Sequence, residues 1–349
     1  MKYATCALSL ILLSLPALAQ TDTTPAAAAA AVSASDTAPA ALETAPTQVV
    51  VEGRRPGPGV WKVSKGDHVM YVFGMYAPLP NKLEWDDTRV ERLVRNSQEV
   101  LLPPKVSFSL SGAGGFFKGL AALPSLIGLD KNPDGATMHD LLSADDYERW
   151  RVLKAKYLGA DNDLERLRPI LVAEKLMEAG LRQNGLTGND DIYGRIVDIA
   201  KKYRVKETPT GVNKVVENPR QLLRDIKATQ FEDLACFTKT LDGIEGDIAA
   251  MHIRANAWAN GNIAEINRLD FAERDAACRG AVLNSAAVSK MPGFENLVEQ
   301  SRQNWIESAE RALANNTQTF AMLQMKNILG ADSVLAVLQA KGYTVESPK

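Results

Sequence analysis

The two ends of the foldable part of this chain carry short β-rich runs, and most of what lies between repeats apolar residues at helical spacing. At the amino end, Gly59-Val60-Trp61-Lys62-Val63 alternates, Ser64-Lys65-Gly66-Asp67 is turn chemistry, and His68 to Phe73 is β-rich up to Gly74. Two β-runs around a polar four-residue turn predict a hairpin. Asp86 to Arg95 has helical spacing, and Glu99 to Leu102 reads as a short buried strand ended by Pro103-Pro104. At the other end, Thr319 to Leu323 reads as a strand, Asp332 to Lys341 as a helix, and Gly342 to Glu346 as a last strand. Strand, helix, strand at this spacing predicts a βαβ unit and hence a parallel pair.

The middle, 143–289, is predicted mostly helical. Ser143 with Asp146 is a capping-box-like start, and Pro169 opens a helix with Leu171, Val172, Leu176 and Met177 apolar. Asp190 or Asp191 caps another, and Asn218-Pro219 is a cap followed by a first helical residue. Arg204 to Val216 has weak strand character. The segments around Cys236 and Trp258 read as two helices, and Glu295 to Ala314 as one long helix. The expected class is α/β of the mixed α+β kind: a small central sheet from the amino- and carboxy-terminal segments, with a large helical insertion.

Residues 1–19 read as a secretory signal peptide: Lys2, an apolar run from Leu8 to Leu15, and small residues at Ala17 and Ala19 before Gln20. Cleavage after Ala19 predicts an exported, soluble product, with an uncleaved anchor as the alternative. Residues 20–48 are rich in Ala, Thr and Pro and hold too few large apolar groups to offset their ordering entropy, so they read as a disordered spacer. The folded domain is expected over 49–349. Without the leader two cysteines remain, Cys236 and Cys278. An even pair in an exported chain predicts a disulfide, the alternative being two separate buried thiols.

Lys and Arg number 40 and Asp and Glu 42, a net charge of −2, so the basic excess of a dedicated nucleic-acid binder is lacking. Three His and three Cys leave little material for a His-rich or Cys-rich metal site. Residues 110–129 are the most apolar stretch of the mature chain. Lys118, Pro124 and several glycines interrupt them, and Phe117 stands where a dinucleotide fingerprint needs its third glycine. They read as a Gly-containing helical hairpin on the core, or as a flap contacting a membrane or partner.

Three stretches then resemble one family. The opening GVWKV…HVMYVFGMYAPLPNKLEW resembles the amino-terminal motif of the TraB/GumN family, and the end TFAMLQMKNILGADSVLAVLQAKGYTV resembles its carboxy-terminal motif. RANAWANGN, Arg254 to Asn262, resembles the family's AWxxGd segment. Framework positions Trp61, Gly74, Pro80, Trp85, Gly330, Leu338, Gly342 and Tyr343 fit, over about 59–346. The resemblance implies two GxxH histidines and a strand-ending Glu that would bind a divalent metal and support hydrolysis in the Tiki-like proteolytic relatives. Here the first His falls on Ala77, the Glu on Pro103 and the second His on Asn327, while the family's Arg-Asn pair falls on Ser301-Arg302.

Ala and Pro offer a metal no lone pair, and Asn327 alone is a feeble ligand. Lys326, about 5 Å from a divalent ion, would oppose it by several kcal/mol even at an effective dielectric of about 20. The replacements at hand have ordinary readings. His68 reads as a turn residue, His139 as a capping or packing residue and His252 as a helix residue. Glu84, Asp86 and Asp87 read as a helix start, Ser109 and Ser111 lack a GxSxG elbow, and Trp258 and Trp305 read as core. The expectation is therefore a degenerate member acting as a binding or scaffold module, periplasmic or secreted, with no catalytic residue, metal or cofactor. The candidate binding positions are Gly74, Tyr76, Ala77, Pro103, Gln324, Lys326 and Asn327. Expected partners are a peptide, a polysaccharide-pathway protein or an envelope protein, but no nucleic acid, with a membrane contact through 110–129. The alternative is a metal-dependent or rebuilt-site hydrolase or protease of the same family.

Overall fold

Alternation in the first β-rich run becomes strand β1 (Val60–Lys65), which turns back into β2 (His68–Met75) in this computed structural model. The structure describes residues 56–348 except 82, 111–126, 189–190, 230–231, 269–276, 282–284, 286–287 and 289–295. The leader, the spacer and nearly all of the apolar stretch lie outside the described residues. The hairpin is tighter than expected. Lys65 pairs with His68, so the turn is only Gly66-Asp67, and Gly66 takes φ 63°, which glycine adopts without strain.

The other strands are β3 (Leu79–Pro80), β4 (Glu99–Leu101), β5 (Val106–Leu110), β6 (Leu186–Thr187), β7 (Lys206–Thr208), β8 (Val212–Val216), β9 (Gln318–Gln324) and β10 (Thr344–Glu346). The β1–β2 hairpin and four of these form one six-stranded mixed sheet in the order β10-β1-β2-β9-β4-β7. The hairpin and β10 pair antiparallel, whereas β2, β9, β4 and β7 run parallel to one another. The chain is thus mixed α/β, its central sheet drawn mainly from both ends. The βαβ expectation needs correction. β9 and β10 run in the same direction but are not neighbours, because the β1–β2 hairpin lies between them. The seven-residue ladder of β2 on β9 takes that flank of β9, leaving three-residue β10 the outer edge of β1.

The helix Leu297–Asn315 returns across this sheet into β9, burying Trp305, Ile306, Ala309 and Leu313. At the amino ends of the parallel strands, Glu99 accepts hydrogen bonds from Thr208 Oγ1 (2.5 Å) and Asn316 Nδ2 (2.6 Å). Burial pushes this carboxyl up, but those bonds and the charge of Lys206 outweigh it and leave its pKa below the usual carboxylate value. The folded state then gives up this proton at a lower pH than the unfolded chain. Its stabilisation is complete above the unfolded pKa of about 4.3 and is lost as pH falls through the folded value. The stability advantage of the natural protein over Glu99→Gln should accordingly be full at neutral pH and shrink on acidification, as read from denaturation midpoints across pH. An advantage that grew on acidification would contradict this network.

A second core lies within the helical part, around Trp150, Val172, Leu176, Phe237, Ile244 and Ile248. The cap residues act as read: Ser143 Oγ accepts from Asp146 N, and Asn218 Oδ1 from Gln221 N. The two helices expected around Cys236 and Trp258 are one, Leu234–Ala259. Its central Asp242-Gly243-Ile244-Glu245-Gly246-Asp247 resembles a break, but Ile244 and Ile248 stay buried on one continuous face. That face packs on the helix Pro169–Gln183. A Cβ on Gly180 would lie 2.8 Å from Ile248 Cδ1, so the close approach needs a glycine. Cys236 and Cys278 form a disulfide. Just before Pro169, the buried Arg168 donates to the carbonyls of Leu129, Ile226, Lys227 and Thr229.

Candidate functional site at the carboxy ends of the parallel strands

In a parallel sheet the strand ends on one side open onto a common crevice, where ligands of such folds generally bind. Here β2, β9 and β4 are adjacent and parallel, so their carboxy ends lie side by side. Met75 pairs with Gln324, and on the other flank of β9, Leu101 pairs with Ala321. Tyr76 and Ala77 follow β2 directly. Pro103 follows β4 by two residues. Lys326 and Asn327 lie in the helix Met325–Ile328 that continues β9. The topology therefore brings the expected positions, from three distant parts of the sequence, to one edge of one sheet. Ala77 and Lys326 are exposed, Pro103, Gln324 and Asn327 half-buried, and Gly74 and Tyr76 buried.

The floor of this edge is packed. A Cβ on Gly74 would meet Met325 Cε at 2.7 Å and the Trp61 ring at 3.1 Å, so only a glycine lets Met325 fold back onto β2. The Gly74 carbonyl accepts a 2.7 Å hydrogen bond from Trp258 Nε1. Trp258 comes from the end of the helix Leu234–Ala259 and meets Phe73 and Trp85 edge-on. RANAWANGN thus supplies a brace beneath the edge. Trp258 and Trp305 are fully buried, as core residues should be. Met325 as a floor residue was not foreseen, since nothing in Gln324-Met325-Lys326-Asn327 distinguishes it from an exposed methionine.

The replacement groups do not converge here. His68 sits at the opposite end of β2, with Nδ1 2.7 Å from the Leu313 carbonyl oxygen. His139 stacks edge-on against Tyr147, and His252 lies in the helix Leu234–Ala259. Asp86 accepts from Thr88 N at a helix start, and Asp87 pairs with Arg195. Ser109 accepts from Asn213 Nδ2; Ser111 lies outside the described residues. Ser301 is buried, while Arg302 donates to Glu299 and to the Asp332 carbonyl. Among the described residues no group of three His, Cys, Asp or Glu side chains is placed to hold a metal. Two positions without donor atoms, one carboxamide and a neighbouring ammonium do not fit a divalent cation.

A model of the TraB/PrgY/gumN family matches residues 59–347. No curated protein and no solved structure matches the chain.

Proposed function

The chain belongs to the TraB/PrgY/gumN family, and from that premise we propose that it is an exported binding or scaffold module that has given up metal-dependent hydrolysis. One observation carries the proposal: the three neighbouring strand ends present Ala77, Pro103 and Asn327 where the chemistry would need donors. A lost ligand can be replaced by a neighbour, but three lost from one edge leave a divalent cation only feeble carboxamide oxygens beside a repelling ammonium. What the edge offers instead is an ammonium at Lys326, carboxamides at Gln324 and Asn327, and the backbone around Tyr76 and Ala77. These suit a peptide or a small polar ligand held by occupancy rather than turnover. The leader-like residues 1–19 support a periplasmic or secreted setting, where an envelope or polysaccharide-pathway protein is the natural partner. The apolar residues 110–129 would supply any membrane contact.

Calorimetric titration with Zn²⁺, Mn²⁺ and Co²⁺ tests the reading. The natural protein should stay silent, and a variant carrying Ala77→His, Pro103→Glu and Asn327→His should bind one equivalent. Tight one-to-one binding by the natural protein would overturn the proposal and direct attention to replacement ligands and a hydrolytic activity.

A further inference from the structure

The helix Leu297–Asn315 buries one side, through Leu297, Ser301, Trp305 and Ile306, and turns Glu299 and Arg302 away from it. At about 100° per residue, Arg302 lies about 140° and Glu299 about 160° around the helix from Leu297. Leu297 packs with Val212, Val216 and Val288, so β8 and Val288 lie on the side away from Arg302. The helix Val334–Ala340 stands on the Arg302 side, and a cleft of about 480 Å³ opens between the two helices. Its floor is small and apolar, from Ala336, Val337 and Ala340, and its polar groups are Glu299, Arg302 and Asp332. The volume is that of a small-ligand site. None of these residues belongs to the strand-end positions, so the cleft stands apart from the reading of that edge.

Arg302 is held in place without being used up. Its Nη1 donates to Glu299 Oε1 at 3.2 Å and its Nη2 to the Asp332 carbonyl at 3.0 Å. A guanidinium has five N–H donors in a planar fork, so among the described residues three are left over. A side chain already fixed loses little freedom when a ligand arrives. The Glu299 carboxylate is 63% exposed, so this ion pair is worth little and yields to a better partner. Asp332 gives Arg302 its carbonyl, and its carboxylate has no partner among the described residues. The cleft thus sets one cation between two carboxylates. A ligand that is only an anion is opposed by both acids, and one that is only a cation is opposed by Arg302. A ligand carrying both charges satisfies all three groups.

We propose that this cleft binds a free aliphatic α-amino acid as its zwitterion. The ligand carboxylate takes the spare N–H groups of Arg302, whose fork suits a carboxylate held by two parallel bonds. The ligand ammonium goes to the Asp332 carboxylate, with Glu299 beside it. The aliphatic side chain lies over Ala336, Val337 and Ala340 and takes their methyl groups out of water. That floor offers no hydrogen bond, so a polar side chain of similar size would lose its water there without compensation.

Calorimetric titration of the natural protein with L-leucine tests this, beside leucinamide, which lacks the carboxylate, and N-acetylleucine, which lacks the ammonium. Leucine should saturate one site with a Kd of about 1 mM or tighter. Each derivative should bind about tenfold more weakly or worse, as should leucine to Arg302→Met. Absence of saturation by about 20 mM leucine would overturn the proposal. So would a derivative that binds as tightly as leucine, or an Arg302→Met protein that binds leucine unchanged. The derivatives are read on the natural protein, so they decide the matter even should Arg302→Met not fold. Leucine binding that survives Arg302→Met and is lost in Lys326→Met would place the ligand at the strand-end edge and overturn the cleft as its site.

Discussion

Arg168→Met should lower the unfolding free energy by about 3–5 kcal/mol, the range for removing one partner from a buried ionic network. Arg168 is 4% exposed, and its guanidinium gathers carbonyls from separate segments. Nε donates to Leu129 O at 3.0 Å, Nη1 to Thr229 O at 3.0 Å, and Nη2 to Ile226 O and Lys227 O at 3.1 Å. Three of these carbonyls lie at the carboxy end of the helix Pro219–Ala228, where the helix itself leaves acceptors short of donors (Ile226 O also accepts from Thr229 N at 3.3 Å) and the helix dipole favours a cation. The planar fork of an arginine reaches several acceptors at once, which the single ammonium of a lysine would not.

Asp233 lies close by, buried, and accepts from Ile170 N at 3.1 Å, just behind the proline that opens the helix Pro169–Gln183. Burial pushes this carboxyl above the usual carboxylate range, against the pull of Ile170 N and of the Arg168 charge. Burial in turn pushes the guanidinium down, and Asp233 opposes that. Methionine would fill the volume but abandon four carbonyls and withdraw the nearby positive charge from Asp233. Chemical denaturation should show a lower midpoint with an unchanged slope. A loss below about 1 kcal/mol would mean that water reaches these carbonyls and that the cluster is not a clasp.

Nothing local distinguishes that arginine. Leu164-Glu165-Arg166-Leu167-Arg168-Pro169 holds two arginines of the same kind, yet Arg166 is exposed and Arg168 buried. The difference rests on partners 39 to 61 residues away, and periodicity reports only neighbours. The features that were legible were local. Ser143 and Asn218 cap helices because a short side chain reaches an amide three residues on. Terminal strands announced themselves by alternation. Strand neighbours were not legible: β9 and β10 share a direction but not a ladder, and direction follows from the connecting helix whereas adjacency is decided by what else competes for the edge. The candidate site falls between these cases. Ala77, Pro103 and Asn327 were locatable as motif positions. Their convergence follows once β2, β9 and β4 lie parallel and adjacent, whereas Met325 packing over Gly74 depends on an approach that no spacing encodes.

Replacing the disulfide, Cys236→Ala with Cys278→Ser, should cost about 4 kcal/mol, or slightly less if the reduced chain keeps residual structure. The bond closes a 42-residue loop, so its absence frees a long segment in the unfolded state. Its native setting is uneven. Cys236 is fully buried in the second core beside Phe237, while Cys278 is half-buried, which is why Ala suits the first position and Ser the second. The described residues belong to one compact unit. If that unit unfolds cooperatively, the loss appears in full as a shift of a single transition, and tryptophans of both cores report it together: Trp150 in the second, Trp258 and Trp305 in the first. Adding a thiol reductant to the natural protein should reproduce the shift, and adding it to the double variant should do nothing. If the variant instead unfolds in two steps, the second core first, then the covalent tie rather than packing couples the helical part to the sheet. The carboxy edge with Gly74, Ala77 and Lys326 would then survive loss of the helical core only as long as Trp258, carried on the helix that spans both cores, stays seated on Gly74.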